Sequence, residues 1–92
     1  MKKVNNQVIN NAINAVNKAI NTLANEELTV IGFYHDSLSK PTIEIEHHPK
    51  CNKFIATGTA IYYRHEGYYR FGQFELNGCR IVWKERDISR LH

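Results

Sequence analysis

The sequence predicts a two-layer α+β domain: a long N-terminal amphipathic helix packed on one face of a four- or five-stranded antiparallel sheet. Three observations carry the prediction. Apolar residues recur at helical spacing from Ile9 to Leu23. From Leu28 onward the chain turns to runs of β-branched and aromatic residues with alternating polarity. An Asn77-Gly78 pair stands between two such runs, where a two-residue hairpin turn belongs.

The helix is expected over about residues 4–25. Residues 8–21 read VINNAIN and then AVNKAIN, two nearly matching heptads. Ile9, Ile13, Val16, Ile20 and Leu23 follow one another at steps of four and three, with Ala12 and Ala19 beside them, which makes one apolar stripe. Asn10, Asn14, Asn17, Lys18, Asn21 and Asn25 occupy the rest of the circumference. Asparagine competes for backbone hydrogen bonds and is a mediocre helix former. The helix is therefore expected to depend on burying its stripe against the sheet.

The sheet is expected over about residues 28–85, followed by a short tail. Leu28 to Tyr34 reads as a strand, and the polar stretch from His35 to Pro41 as a loop. Thr42 to His48 alternates as a half-buried strand does, and Pro49 ends it. Phe54 to Arg64, Tyr68 to Leu76 and Cys79 to Lys84 supply three more strands. The pattern shows no helix between Asn25 and the tail Asp87 to Leu91. A turn at Asn77-Gly78 pairs Leu76 with Cys79, Phe74 with Ile81 and Gly72 with Trp83. Phe74, Leu76, Cys79, Ile81 and Trp83 then form the face beneath the helix. A second turn at Glu66-Gly67 pairs Arg64 with Tyr69 and Tyr62 with Phe71. It places Ile61, Tyr63 and Tyr68 on the helix side and Tyr62, Arg64, Tyr69, Phe71, Arg80, Val82 and Lys84 on the uncovered side.

That uncovered side holds the candidate partner-binding residues Tyr62, Arg64, Tyr69, Phe71, Arg80 and Lys84, drawn in part from the repeat YYRHEGYYR. Aromatics mixed with Arg and Lys anchor protein interfaces. They also stack bases and neutralise phosphates in single-strand binders. Glu44, Glu46, Glu66 and Glu75 lie on or near the same sheet and no RNA-binding signature is present, so a protein partner ranks first. A basic single-stranded nucleic-acid binder ranks second. A structural accessory protein, or a homodimer held by the helix, ranks third.

Ninety-two residues make one domain, 1–92. At 42% hydrophobic and 23% charged the composition excludes intrinsic disorder, and the net charge of +3 is too small an excess to name a partner. No run is long enough to span a membrane, and Met1-Lys2-Lys3 leads into an Asn-rich stretch rather than an apolar one. The expectation is a cytoplasmic protein with Cys51 and Cys79 reduced. The run His47-His48-Pro49-Lys50-Cys51 lacks the paired ligand spacings of a zinc site. No nucleophile–base constellation and no Gly-rich phosphate loop is present. No catalytic residue, metal or cofactor is expected, and the chain reads as a non-enzyme.

The format of the chain resembles small proteins encoded by phages and prophages, particularly the anti-CRISPR proteins. A short single domain opens on MKKVNNQVINNAINAVNKAIN, continues as β-hairpins and closes on FELNGCRIVWKERDISRLH without a catalytic motif. The resemblance implies a stoichiometric inhibitor in the host cytoplasm. Such a protein docks on a host protein or ribonucleoprotein, a CRISPR effector, and blocks guide loading, target binding or nuclease recruitment. Many such inhibitors are acidic DNA mimics, and the basic charge of this chain speaks against that mode.

Overall fold

Residues Asn6–Asn25 form the first helix, α1. The computed structural model describes residues 6–35 and 40–88. The expected helix start at residue 4, loop residues 36–39 and the tail beyond residue 88 lie outside them. α1 stops without a glycine. Glu27 takes the left-handed conformation (φ 62°), Leu28 N–H donates to Leu23 O (2.9 Å) and Glu27 N–H to Ala24 O (3.0 Å). This is a Schellman closure, and it turns the buried Leu28 under the helix.

Only the C-terminal half of the apolar stripe is covered. Val16, Ala19 and Leu23 are buried, with Ala15 and Ile20 packed against the same core. Ile9 and Ile13, expected in the core, are 43% and 51% exposed. The C-terminal turns of α1 lie over the core and its first turns project past it.

The strands are β1 (Val30–Tyr34), β2 (Thr42–Ile45), β3 (Ile61–Glu66), β4 (Tyr69–Leu76) and β5 (Cys79–Arg86), in the spatial order β1-β2-β5-β4-β3. The sheet is antiparallel as expected in its β1–β2, β3–β4 and β4–β5 pairings, and mixed because β2 and β5 pair in parallel, Thr42 with Arg80 through Ile45 with Trp83. That pairing follows from a second helix, α2 (Pro49–Ala56), where a strand from Phe54 was expected. α2 carries the chain away from β2, so that the β3–β4–β5 meander brings its last strand back in the direction of β2. Its own ends are well specified. His48 caps the N-terminus by accepting the Lys50 N–H on Nδ1 (3.0 Å), Pro49 opens the first turn, and Gly58 follows at φ 79°. Lys50 Nζ donates to the Glu26 carbonyl (2.7 Å), tying α2 to the end of α1.

The Asn77-Gly78 turn forms as expected, with both residues at positive φ, and pairs Leu76 with Cys79 and Gly72 with Trp83. Cys79, Ile81 and Trp83 are fully buried on the helix side, joined by Ile43 and Ile45 from β2 and Cys51 from α2. The β3–β4 turn differs from expectation. Its central residues are Gly67 and Tyr68, so Glu66 pairs with Tyr69 and Arg64 with Phe71. The partner of Arg64 thus moves two residues along β4, which leaves Arg64 on its expected face. A bulge at Tyr63 then reverses the faces of the residues before it.

Candidate binding face

The outer face of β3, β4 and β5 is a lattice of rings and cations. Alternation along β5 turns Arg80, Val82, Lys84 and Arg86 outward, while β4 contributes Tyr69, Phe71, Gln73 and Glu75 and β3 contributes Tyr63 and Arg64. Each outward cation of β5 lies over one tyrosine: Arg80 over Tyr63 (4.5 Å to the ring centroid), Lys84 over Tyr69 (4.3 Å) and Arg86 over Tyr68 (6.0 Å). Arg64 lies 5.2 Å over Phe71, whose ring is 6.3 Å from that of Tyr63. The acids of this face are already engaged. Glu66 pairs with Arg64 and Glu75 with Lys40, while Glu44 accepts the Tyr34 hydroxyl (3.0 Å) on the far side of β5. Among the described residues no carboxylate is ion-paired with Arg80, Lys84 or Arg86. At the Arg80 end the face dips into an open cleft of about 690 Å³, lined by Lys40, Thr42, Ile61, Gln73, Glu75 and Arg80. Arg80 Nε donates to Gln73 Oε1 there (2.5 Å).

Five of the six expected binding residues, Arg64, Tyr69, Phe71, Arg80 and Lys84, share this face. Tyr62 does not. The bulge puts Tyr63 and Arg64 together opposite Phe71, so Tyr62 turns to the helix side and packs edge-on to Trp83. Tyr63 takes its place outside. Arg86 also belongs to the face, and continuing the β5 alternation two residues past Lys84 points to it. The turn was legible as well: Gly67 at φ 61° is the first central residue, the position where a type II′ hairpin favours glycine.

Beneath the lattice lies a buried polar cluster. Glu85, with a side chain only 4% exposed, accepts from Trp83 Nε1 (2.8 Å), Tyr62 Oη (3.2 Å), and Arg70 Nε and Nη2 (3.1 Å each). Asp87, equally buried, stands 3.6 Å from Arg70 Nη1, and its backbone N–H donates to Tyr68 O (2.7 Å). Arg70 therefore serves both carboxylates while its guanidinium covers the Tyr62 ring at 4.2 Å. Burial, reinforced by the Glu85 charge, raises the Tyr62 hydroxyl above its ordinary pKa. Burial likewise raises the Cys51 and Cys79 thiols. Carrying the inward series Cys79, Ile81, Trp83 two steps further would have found Glu85 and Asp87 in the sequence. The His47–Cys51 run disperses: His48 caps α2, Cys51 is buried, and His47 Nε2 lies 2.8 Å from Asn52 Oδ1. Among the described residues no three His, Cys, Asp or Glu side chains stand together in a way that would hold a metal ion. No helix among them is long and apolar enough to cross a membrane.

The molecule is thus an α+β protein with its helices on one side of a mixed sheet. It belongs to a family described as an uncharacterised protein, whose model matches residues 1–86. Neither a curated protein nor a solved structure matches the chain.

Proposed function

We propose that the protein is a non-catalytic binding module that takes single-stranded nucleic acid on the outer face of β3, β4 and β5. The observation that carries this reading is the row of Arg80, Lys84 and Arg86 on one strand, each set over a tyrosine and none ion-paired with a carboxylate among the described residues. Stacked rings and guanidinium planes accept bases of any identity, and the cations beside them neutralise phosphates. Of the four acidic residues that argued against this partner, Glu66 is paired with Arg64 and Glu75 with Lys40, while Glu44 accepts the Tyr34 hydroxyl on the far side of β5. The cleft beside Arg80 offers the Thr42 hydroxyl, the Gln73 amide and the apolar Ile61 side chain to a base edge.

Docking on a host protein or ribonucleoprotein, such as the CRISPR effector to which the resemblance points, is the second reading. The pairing of tyrosine with arginine on one exposed face favours it, because that mixture also anchors protein interfaces. Binding of a fluorescent single-stranded polypyrimidine, followed by anisotropy over a range of salt, separates the two. Neutralising three phosphates gives a log–log salt slope of about −2, at about 0.7 per phosphate for single strands. Lys84→Ala reduces the slope by about 0.7. Tyr63→Ala and Tyr69→Ala each weaken binding about 5- to 150-fold, equivalent to about 1–3 kcal/mol per stacked base, and leave the slope unchanged. Absence of binding, or binding indifferent to both salt and tyrosines, refutes the assignment. A host protein held by the same face with a shallow salt dependence moves it to the second reading.

A further inference from the structure

Glu75 and Arg80 stand directly opposite each other across β4 and β5, both on the outer face. Opposite charges so placed normally close on one another. Here each is held elsewhere. Glu75 pairs with Lys40, while Arg80 donates through Nε to Gln73 Oε1 (2.5 Å) and lies 4.5 Å over the Tyr63 ring. Both line the cleft of about 690 Å³, together with Ile61, whose side chain is exposed. We propose that this cleft is a base-reading subsite that selects guanine, an inference that rests on the single-strand reading above. The hydrogen bond to Gln73 uses Arg80 Nε and leaves the Nη1 and Nη2 edge as a fork of donors. It also turns Gln73 so that the amide nitrogen, another donor, is the end left for a ligand. Lys40 takes Glu75 Oε2, but each carboxylate oxygen accepts more than one hydrogen bond, so both stay usable. The cleft thus sets a donor fork beside a carboxylate. Guanine alone carries two adjacent acceptors, N7 and O6, next to two adjacent donors, N1–H and the N2 amine. The fork meets the acceptors and Glu75 accepts from the donors, while Ile61 supplies apolar surface to the ring. Adenine, cytosine and thymine each bring a single donor group, and so leave part of the carboxylate or the fork unmet.

Fluorescence anisotropy with short oligodeoxythymidylates that differ only in one central base tests the proposal. Guanine at that position tightens binding about 5- to 150-fold over thymine, the discrimination that one bidentate pair supplies. Adenine and cytosine gain less. Hypoxanthine, which lacks the N2 amine, and 7-deazaguanine, which lacks N7, each lose part of the gain. Glu75→Gln can no longer accept from both guanine donors, so guanine and hypoxanthine bind this variant nearly alike. The ratio of the two affinities is the readout, because it cancels the general tightening that follows removal of a negative charge. Glu75 and Lys40 are both exposed, so the variant keeps a melting temperature close to wild type. A plain oligomer that binds without any gain from guanine overturns the guanine subsite and leaves the single-strand reading standing. So does an equal gain from adenine or cytosine, or a guanine gain that survives Glu75→Gln in full. Failure of every oligomer to bind overturns both.

Discussion

Gly72 is the position where the smallest change to the chain has the largest expected effect. It sits on β4 between Tyr62 and Trp83 on the helix side, and the indole occupies the space a side chain would take. A methyl group there falls 2.5 Å from Trp83 Cε2 and closer still to Cζ2 and Cη2. Carbon atoms rest at about 3.5–4.0 Å, so Gly72→Ala drives the ring back by at least about 1 Å. The ring has nowhere to go. Trp83 is 1% exposed, faces Tyr62 and Phe74, and is held by the 2.8 Å hydrogen bond from Nε1 to Glu85. Overpacking costs about 1–3 kcal/mol, and weakening a hydrogen bond to a buried carboxylate adds about 1.5–3 kcal/mol. The sum, about 2.5–6 kcal/mol, compares with a total of about 5–14 kcal/mol for a domain of 92 residues. Urea denaturation measures it. Trp83 is the sole tryptophan, so its fluorescence reports the disturbed site directly. In a Trp83→Phe background, which removes the clashing atoms and is followed by circular dichroism instead, Gly72→Ala should cost at least about 1 kcal/mol less. A Gly72→Ala variant within about 1 kcal/mol of wild type, or additive with Trp83→Phe, would refute the packing argument.

Two further outcomes concern titration. Burial holds the Tyr62 hydroxyl protonated above the ordinary tyrosine pKa, so the folded chain keeps a proton that the unfolded chain has released. Its contribution to stability is full below the ordinary value and is lost as pH rises through the folded one, and Tyr62→Phe should flatten this alkaline loss in urea titrations at stepped pH. Cys51 and Cys79, buried and raised in pKa, should react with an aromatic disulfide reagent near pH 8 far more slowly than a free thiol. Both should be released at once in denaturant, and prompt reaction of the native protein would show the thiols to be accessible.

Much of this geometry was written in local signals. The α1 stripe, the Asn77-Gly78 turn and the inward series Phe74, Leu76, Cys79, Ile81 and Trp83 depend on spacing along a few residues, and all were readable. Three features were not. The bulge at Tyr63 leaves no mark in composition, and it alone exchanged Tyr62 for Tyr63 on the outer face. The last turn of α2 reads as the start of a strand because Phe54 and Ile55 favour strands when read singly, although Pro49 and Gly58 bracket a helix of eight residues. The partial cover of α1 depends on where the helix crosses the core, which no helical periodicity contains. The outer face was found nonetheless, because moving the β3–β4 turn by one residue on each side preserves which way Arg64, Tyr69 and Phe71 point.

The place of β5 in the sheet has a consequence for how the chain assembles. β1 and β2 form one hairpin and β3 and β4 another, and the two meet only through β5, the last strand to be made. Until Cys79–Arg86 is available, each half has only two strands, and the buried Cys79, Ile81 and Trp83 that complete the core beneath the helices are missing. The parallel registry of Thr42 with Arg80 joins residues far apart in the chain, so its loop-closure entropy falls due before any compensating contact forms. Folding should therefore be slow for so short a chain and all-or-none. During synthesis the nascent protein should hold no stable sheet until its final strand has cleared the ribosome.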